Sequence, residues 1–142
     1  MNKKLIIGIL LALLLILVLG FLLKTPQEVI VTTDQVGYAS GETPIMTIKN
    51  NLTSNICFSS CYPYYLEKKN GEWESYLYEE CEKPDLVENC VEPKQTKSFK
   101  FTIPAIGSGF HRIAVPSCLD CQIGQTFEEN ERFYSNEFTI DR

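Results

Sequence analysis

Histidine is almost missing from this chain: there is one, His111. Hydrolytic nucleophile–base pairs usually recruit a histidine and an acid to orient it. No Gly-x-Ser-x-Gly elbow accompanies this one, so His111 reads as an ordinary strand residue. A Gly-rich phosphate loop is also lacking, since Gly107 and Gly109 flank Ser108 in a turn that no helix follows. No Asp-x-Asp-x-Asp-Gly series is present to hold calcium. Paired-carboxylate glycoside chemistry needs a deep cleft, and the 118 residues after Lys24 leave little room for one. The sequence therefore points to a protein that is not an enzyme, with no catalytic residues, no metal site and no cofactor.

Charge is absent from residues 5–23, LIIGILLALLLILVLGFLL. As a helix this run would span about 28 Å, close to a bilayer's hydrocarbon core. It ends in FLLKTP, without the small-x-small pattern of a cleavage site and without a cysteine to be lipidated. The expectation is an uncleaved signal-anchor, with a cleaved signal peptide as the alternative. Lys3 and Lys4 precede the run and only Lys24 comes closely after it, which puts the N-terminus in the cytoplasm. The expected order is a cytoplasmic stretch (1–4), a transmembrane signal-anchor (5–23), a linker (24–27) and an extracytoplasmic domain (28–142). That is a single-pass protein of the cell membrane.

The region beyond Lys24 is acidic. All 18 carboxylates and 10 of the 13 basic residues lie there, a formal charge of 10 − 18 = −8. This balance argues against nucleic acid and against anionic lipid as partners. The membrane itself, through residues 5–23, and an unidentified protein or cell-envelope partner are the expected contacts.

Residues 28–34, 43–51, 96–104, 109–116 and 132–140 carry β-branched or alternating patterns, with Met46, Ile48 and Asn50 on one face and Phe99, Phe101 and Ile103 on another. Asn70-Gly71 lies between two strand-like runs and reads as a hairpin with a two-residue loop. That register sets Lys68 opposite Trp73, Leu66 opposite Ser75 and Tyr64 opposite Leu77 on a buried face. It sets Tyr65 opposite Tyr76 and Glu67 opposite Glu74 on a solvated one. Tyr62, Tyr65, Tyr76 and Tyr78 then cluster near the outer face as a candidate binding surface. Some seven short strands without a crossover helix point to an all-β antiparallel sandwich.

Six cysteines fall after residue 24: Cys57, Cys61, Cys81, Cys90, Cys118 and Cys121. An even number outside the membrane favours disulfides. The hairpin base brings Cys57, Cys61, Cys81 and Cys90 into one neighbourhood, which leaves three pairings among them and a local Cys118–Cys121 closure. Two other readings exist for Cys-x-x-Cys. Zinc could take Cys118 and Cys121 with Cys57 and Cys61, although thiolate sites favour reducing compartments. A redox dithiol could use Cys118 and Cys121, but no helix start comes after them and Asp120 disfavours a thiolate.

The succession YYLEKKNGEWE, Cys81, VEPKQTKSFKFTIP, GFHRIAV and YSNEFTI resembles the bacterial immunoglobulin-like domains of small membrane-anchored extracytoplasmic proteins. The likeness covers most of residues 28–140. It implies an Ig-like sandwich in a prokaryotic surface protein and says little about function. Phe110-His111 departs from the usual Thr-Tyr before Arg112, and residues 117–131 form a longer, cysteine-bearing loop. The function expected is a binding or assembly module stapled by disulfides. The alternative is a membrane-tethered thiol–disulfide oxidoreductase using Cys118 and Cys121.

Overall fold

The computed structural model describes residues 29–76 and 80–141. The expected anchor over 5–23, its flanks at 1–4 and 24–27, Leu77 and Tyr78 lie outside the described residues. Within them there is no helix, and eleven strands make up two sheets. In chain order these are β1 (Val29–Thr33), β2 (Gly37–Ala39), β3 (Ile45–Asn50), β4 (Ile56–Ser59), β5 (Tyr65–Asn70), β6 (Glu72–Tyr76), β7 (Val87–Val91), β8 (Thr96–Lys100), β9 (Gly109–Leu119), β10 (Glu131–Tyr134) and β11 (Phe138–Asp141).

The smaller sheet is antiparallel in the order β1-β3-β8. The larger has the order β2-β11-β9-β4-β7, with β5 and β10 also on β9, and β6 on β5. All of its described pairs are antiparallel except β2 with β11. The chain leaves the smaller sheet after Thr33 and joins the larger at Gly37, so its first two strands belong to different sheets.

Alternation explains the core. Val29, Val31, Met46 and Ile48 from the smaller sheet meet Ile56, Phe58, Leu66, Ile113, Val115, Phe138 and Ile140 from the larger in one buried cluster. Phe99 packs against this cluster, and Phe101 and Ile103 are buried within it, although regular strand stops at Lys100. Asn50 is fully buried at the end of β3, where its amide donates to the Ser54 and Val91 carbonyls. A buried amide needs such partners.

The last expected strand is interrupted. Ser135, Asn136 and Glu137 separate β10 from β11, and the first two tie the layers together. The Ser135 hydroxyl accepts from the Ile113 N–H at 2.9 Å. Asn136 accepts from the Thr33 N–H and donates to its hydroxyl, both at 2.9 Å. The segments β4 and β7, each with a cysteine in it, carry no alternation that marks them as strands in the sequence.

The hairpin register differs from the expected one by a single residue. Asn70 faces Glu72 across Gly71 alone, whose φ is +80°, and Lys69, not Lys68, faces Trp73. Glu67 therefore faces Ser75, and Tyr76 faces Leu66 instead of Tyr65. A one-residue slip reverses the faces of the slipped strand. β5 keeps its expected sides, with Leu66 inward, while β6 is turned over and Trp73 points outward. Glu67 is also buried rather than solvated.

Candidate functional site

The eleven residues of β9 organise the outer face of the larger sheet. Its inward positions are His111, Ile113, Val115 and Ser117, all fully buried. Its outward positions are Phe110, Arg112, Ala114, Pro116 and Cys118. Pairing brings Glu67 beside Arg112, Tyr65 and Tyr134 on either side of Ala114, and Arg132 beside Pro116.

Arg112 is the centre of one end. Its guanidinium lies 3.9 Å from the Tyr134 ring and 4.2 Å from the Trp73 ring. Its Nε donates to Glu67 Oε2 at 2.7 Å, and the Ser75 hydroxyl donates to Glu67 Oε1 at 3.1 Å. A guanidinium held between two aromatic planes and a buried carboxylate is a preorganised arrangement. The Arg112 side chain keeps about a fifth of its surface open (21%), and no further hydrogen-bond partner occurs among the described residues. Lys69 Nζ also lies 5.2 Å from the Trp73 ring, and it pairs with Glu137. Phe110 and Tyr134 are exposed beside this cluster.

Of the tyrosines expected to form a surface, two come together. Tyr62 stacks on Tyr65 with centroids 5.9 Å apart. Arg132 sits near Tyr65 and is held by Glu129 in a two-pronged ion pair at 2.6 and 2.7 Å. That hydrogen bonding raises the already high Arg132 pKa, and burial raises the Tyr65 phenol. Tyr76 is turned to the Leu66 side, and Tyr78 lies outside the described residues. Trp73, Arg112 and Tyr134 form the tightest part of this face, and nothing in the sequence singles them out as a binding site. The alternation of β9 and β10 is the only signal that places Arg112 and Tyr134 outward.

His111 faces the core, stacked on Phe138 with centroids 6.2 Å apart. Nδ1 lies 2.9 Å from the Gly109 carbonyl, so the neutral ring donates there, and Nε2 is buried without a partner among the described residues. Burial pushes the pKa below the ordinary 6.5, and the nearby Lys68 charge adds to this. The unfolded chain then binds a proton that the folded chain refuses. Stability is full above pH 6.5, and falls as pH drops from there toward the depressed folded value. The slope is up to about 1.4 kcal/mol per pH unit for one proton. Asp34, whose carboxylate is stabilised by the Ile45 N–H and the Tyr38 hydroxyl, loses its contribution only below 3.8. Denaturant midpoints between about pH 7 and 5 are expected to fall for the native chain and stay flatter for His111→Leu. Parallel profiles would remove His111 as the cause.

The other end of the face is built of sulfur. All six cysteines are paired, as Cys57–Cys90, Cys61–Cys81 and Cys118–Cys121. The local closure of Cys118 with Cys121 is the expected one, and the remaining four pair among themselves. Cys61–Cys81 pins the excursion between β4 and β5, helped by the Ser59 hydroxyl, which accepts from the Cys61 and Tyr62 N–H groups. This holds Tyr62 over Tyr65. The strand β9 runs on to Leu119, so Cys118 belongs to the strand and only Cys121 to the loop. Cys57 consequently has Cys90 directly across on one side and Cys118 directly across on the other. Directly opposed residues project to the same face, so β7, β4 and β9 carry three sulfurs in a row.

These features define a disulfide-stapled all-β module with an aromatic–guanidinium cluster and a cysteine row on one sheet face. No family model and no curated protein matches the chain. Among solved structures it is similar to the Pseudomonas fluorescens alkylpurine DNA glycosylase AlkC bound to DNA containing an abasic site analog. Identity is 12% and the TM-score 0.44, over 83% of this chain and 32% of that one. It is also similar to Spo0M, a sporulation control protein from Bacillus subtilis, at 11% identity and a TM-score of 0.40, over 81% of this chain and 49% of that one. The chain thus spans about a third and about half of their lengths, and neither likeness bears on its function.

Proposed function

We propose that this protein is a membrane-anchored extracytoplasmic module, an Ig-like sandwich that binds or assembles with a partner at the cell surface. The observation that carries this reading is Arg112, clamped between Trp73 and Tyr134 on an outward face beside exposed Phe110. Aromatic and arginine side chains held rigid before binding lose little entropy when a partner arrives, which is why they dominate interface energies. The two sheets around one core and the passage of the chain from one sheet to the other support the sandwich. Three disulfides support an oxidising compartment, and the uncharged run over 5–23 supports the anchor.

The test is capture from the source membranes by the full chain and by a Tyr134→Ala/Phe110→Ala variant, with crosslinking to identify the species. Binding through this face predicts that the species retained by the native chain falls roughly tenfold or more, as for hot-spot residues. Equal retention by the variant would reject the face.

A second reading keeps Cys118 and Cys121 as the pair of a membrane-tethered thiol–disulfide oxidoreductase. It is favoured by Cys121, which is only half-buried at the edge of an open cleft. Turnover of a disulfide substrate that disappears in Cys118→Ser with the fold intact would establish it over the binding module.

A further inference from the structure

The cysteine row contains more than three separate staples. Cys57 is the central member, bonded to Cys90 on β7 and directly opposite Cys118 on β9. The Cα atoms of Cys57 and Cys90 are 4.0 Å apart, and the three residues lie side by side across neighbouring strands. Thiol–disulfide exchange needs the attacking sulfur roughly in line with the bond it breaks. Cys118 faces Cys57 from the side of β4 opposite Cys90, the side from which such an attack would come. The Cys57 sulfur already lies 3.4 Å from the Cys121 carbonyl oxygen.

Solvent access differs along the row. Cys57 and Cys118 are buried, at 0% and 3% exposure, whereas Cys90 and Cys121 are half-buried. Both of the latter open on one cleft of about 410 Å³, which is also lined by Asn89, Lys97, Gln122 and exposed Ile123. Lys97 Nζ donates to the Cys90 carbonyl at 2.5 Å, placing an ammonium beside that residue.

We propose that this row is a disulfide-exchange site that accepts electrons from a dithiol and re-pairs Cys57 from Cys90 to Cys118. A thiolate of the dithiol enters the cleft and attacks the accessible Cys121 sulfur. The Cys118–Cys121 bond breaks, and Cys118 leaves as a thiolate. The second thiol of the dithiol closes on its own partner sulfur, releasing Cys121, which takes a proton; the dithiol is now a disulfide. Cys118 is left as a buried anion, an unfavourable place for charge. It attacks Cys57, the Cys57–Cys118 bond forms, and the Cys57–Cys90 bond breaks. Cys90 departs as a thiolate at the cleft edge, stabilised by Lys97, and is then protonated. The balance is one dithiol oxidised to its disulfide, and two protein disulfides converted into one, Cys57–Cys118, with thiols at Cys90 and Cys121. Cys61–Cys81 takes no part. The proposal is independent of the binding face at Arg112.

The test is made on the full chain in detergent with dithiothreitol as the dithiol, added at one equivalent, then acid quenching, alkylation and disulfide mapping. The expected products are alkylated Cys90 and Cys121 and a cross-linked Cys57–Cys118 peptide. Alkylation confined to Cys118 and Cys121, with Cys57–Cys90 intact, would overturn the proposal. Cys121→Ser asks the same question without a reductant. Its single thiol is expected to be shared between Cys118 and Cys90, with on the order of a tenth or more of the label on Cys90, because both compete for one neighbouring sulfur. Label on Cys118 alone would again overturn it. If that variant does not fold, the mapping of the native chain decides.

Discussion

Removing the Cys57–Cys90 bond, by alanine at both positions, is expected to lower the unfolding free energy of the full chain by about 4 kcal/mol. The two residues are 33 apart in sequence, and in the chain-entropy model a loop of that size restricts the unfolded ensemble by about this amount. For a domain of this size the melting temperature should fall by about 15–30 °C. The same treatment of Cys118 and Cys121, only 3 residues apart, should cost below about 2 kcal/mol. Denaturant titration of both double variants in detergent, monitored through Trp73 fluorescence, checks the order. Equal losses would mean that neither loop length nor position on the sheet governs what these staples contribute. The ordering bears on the exchange chemistry too, since the bond expected to open first is the one whose loss costs the fold least.

Phe138→Ala is expected to cost about 3–5 kcal/mol, the range for truncating a buried phenylalanine. Phe138 is 1% exposed and sits where the two layers meet. The Tyr38 ring meets it edge-on at 5.3 Å, and His111 lies stacked on its other side and paired across the strands. Truncation would remove the wall that both rings lean on, leaving a cavity beside His111. Phe138→Leu keeps most of the volume and should cost less, about 1.5 kcal/mol or below. Denaturant midpoints for the two variants measure the difference. A loss under about 1 kcal/mol for the alanine variant would show that β11 can collapse onto the gap, contrary to a rigid core.

The hairpin shows where sequence pattern ends. Alternation of Leu66 against Tyr65 and Glu67 assigns β5 correctly, because one strand's faces depend on its own residues. Its partner's faces depend on the turn. Asn70-Gly71 is consistent with a two-residue loop, and also with Gly71 alone at the apex at positive φ. The second turns Trp73 outward onto Arg112 and lets Glu67 be buried against that guanidinium instead of repelling Glu74. A carboxylate expected in solvent is thus covered and paired by a residue 45 positions away. In the same way the tyrosines nearest in sequence mark only part of the face, and its centre is assembled from β6, β9 and β10.

Composition and period by themselves determined that the region after residue 28 is β-structure, with Met46 and Ile48 sharing one face and Phe101 and Ile103 sharing another. They also favoured disulfides, with Cys118 closing on Cys121, over zinc and a redox dithiol. These are local matters of alternation, turn residues and close spacing. Only the tertiary structure decided that β9 runs through Cys118, and that Cys57 stands between two cysteine neighbours. It alone decided that Arg112 is held by Trp73, Tyr134 and Glu67. Each of those depends on which strands lie side by side and in what register, and register is fixed by the packing of the whole sheet against its core.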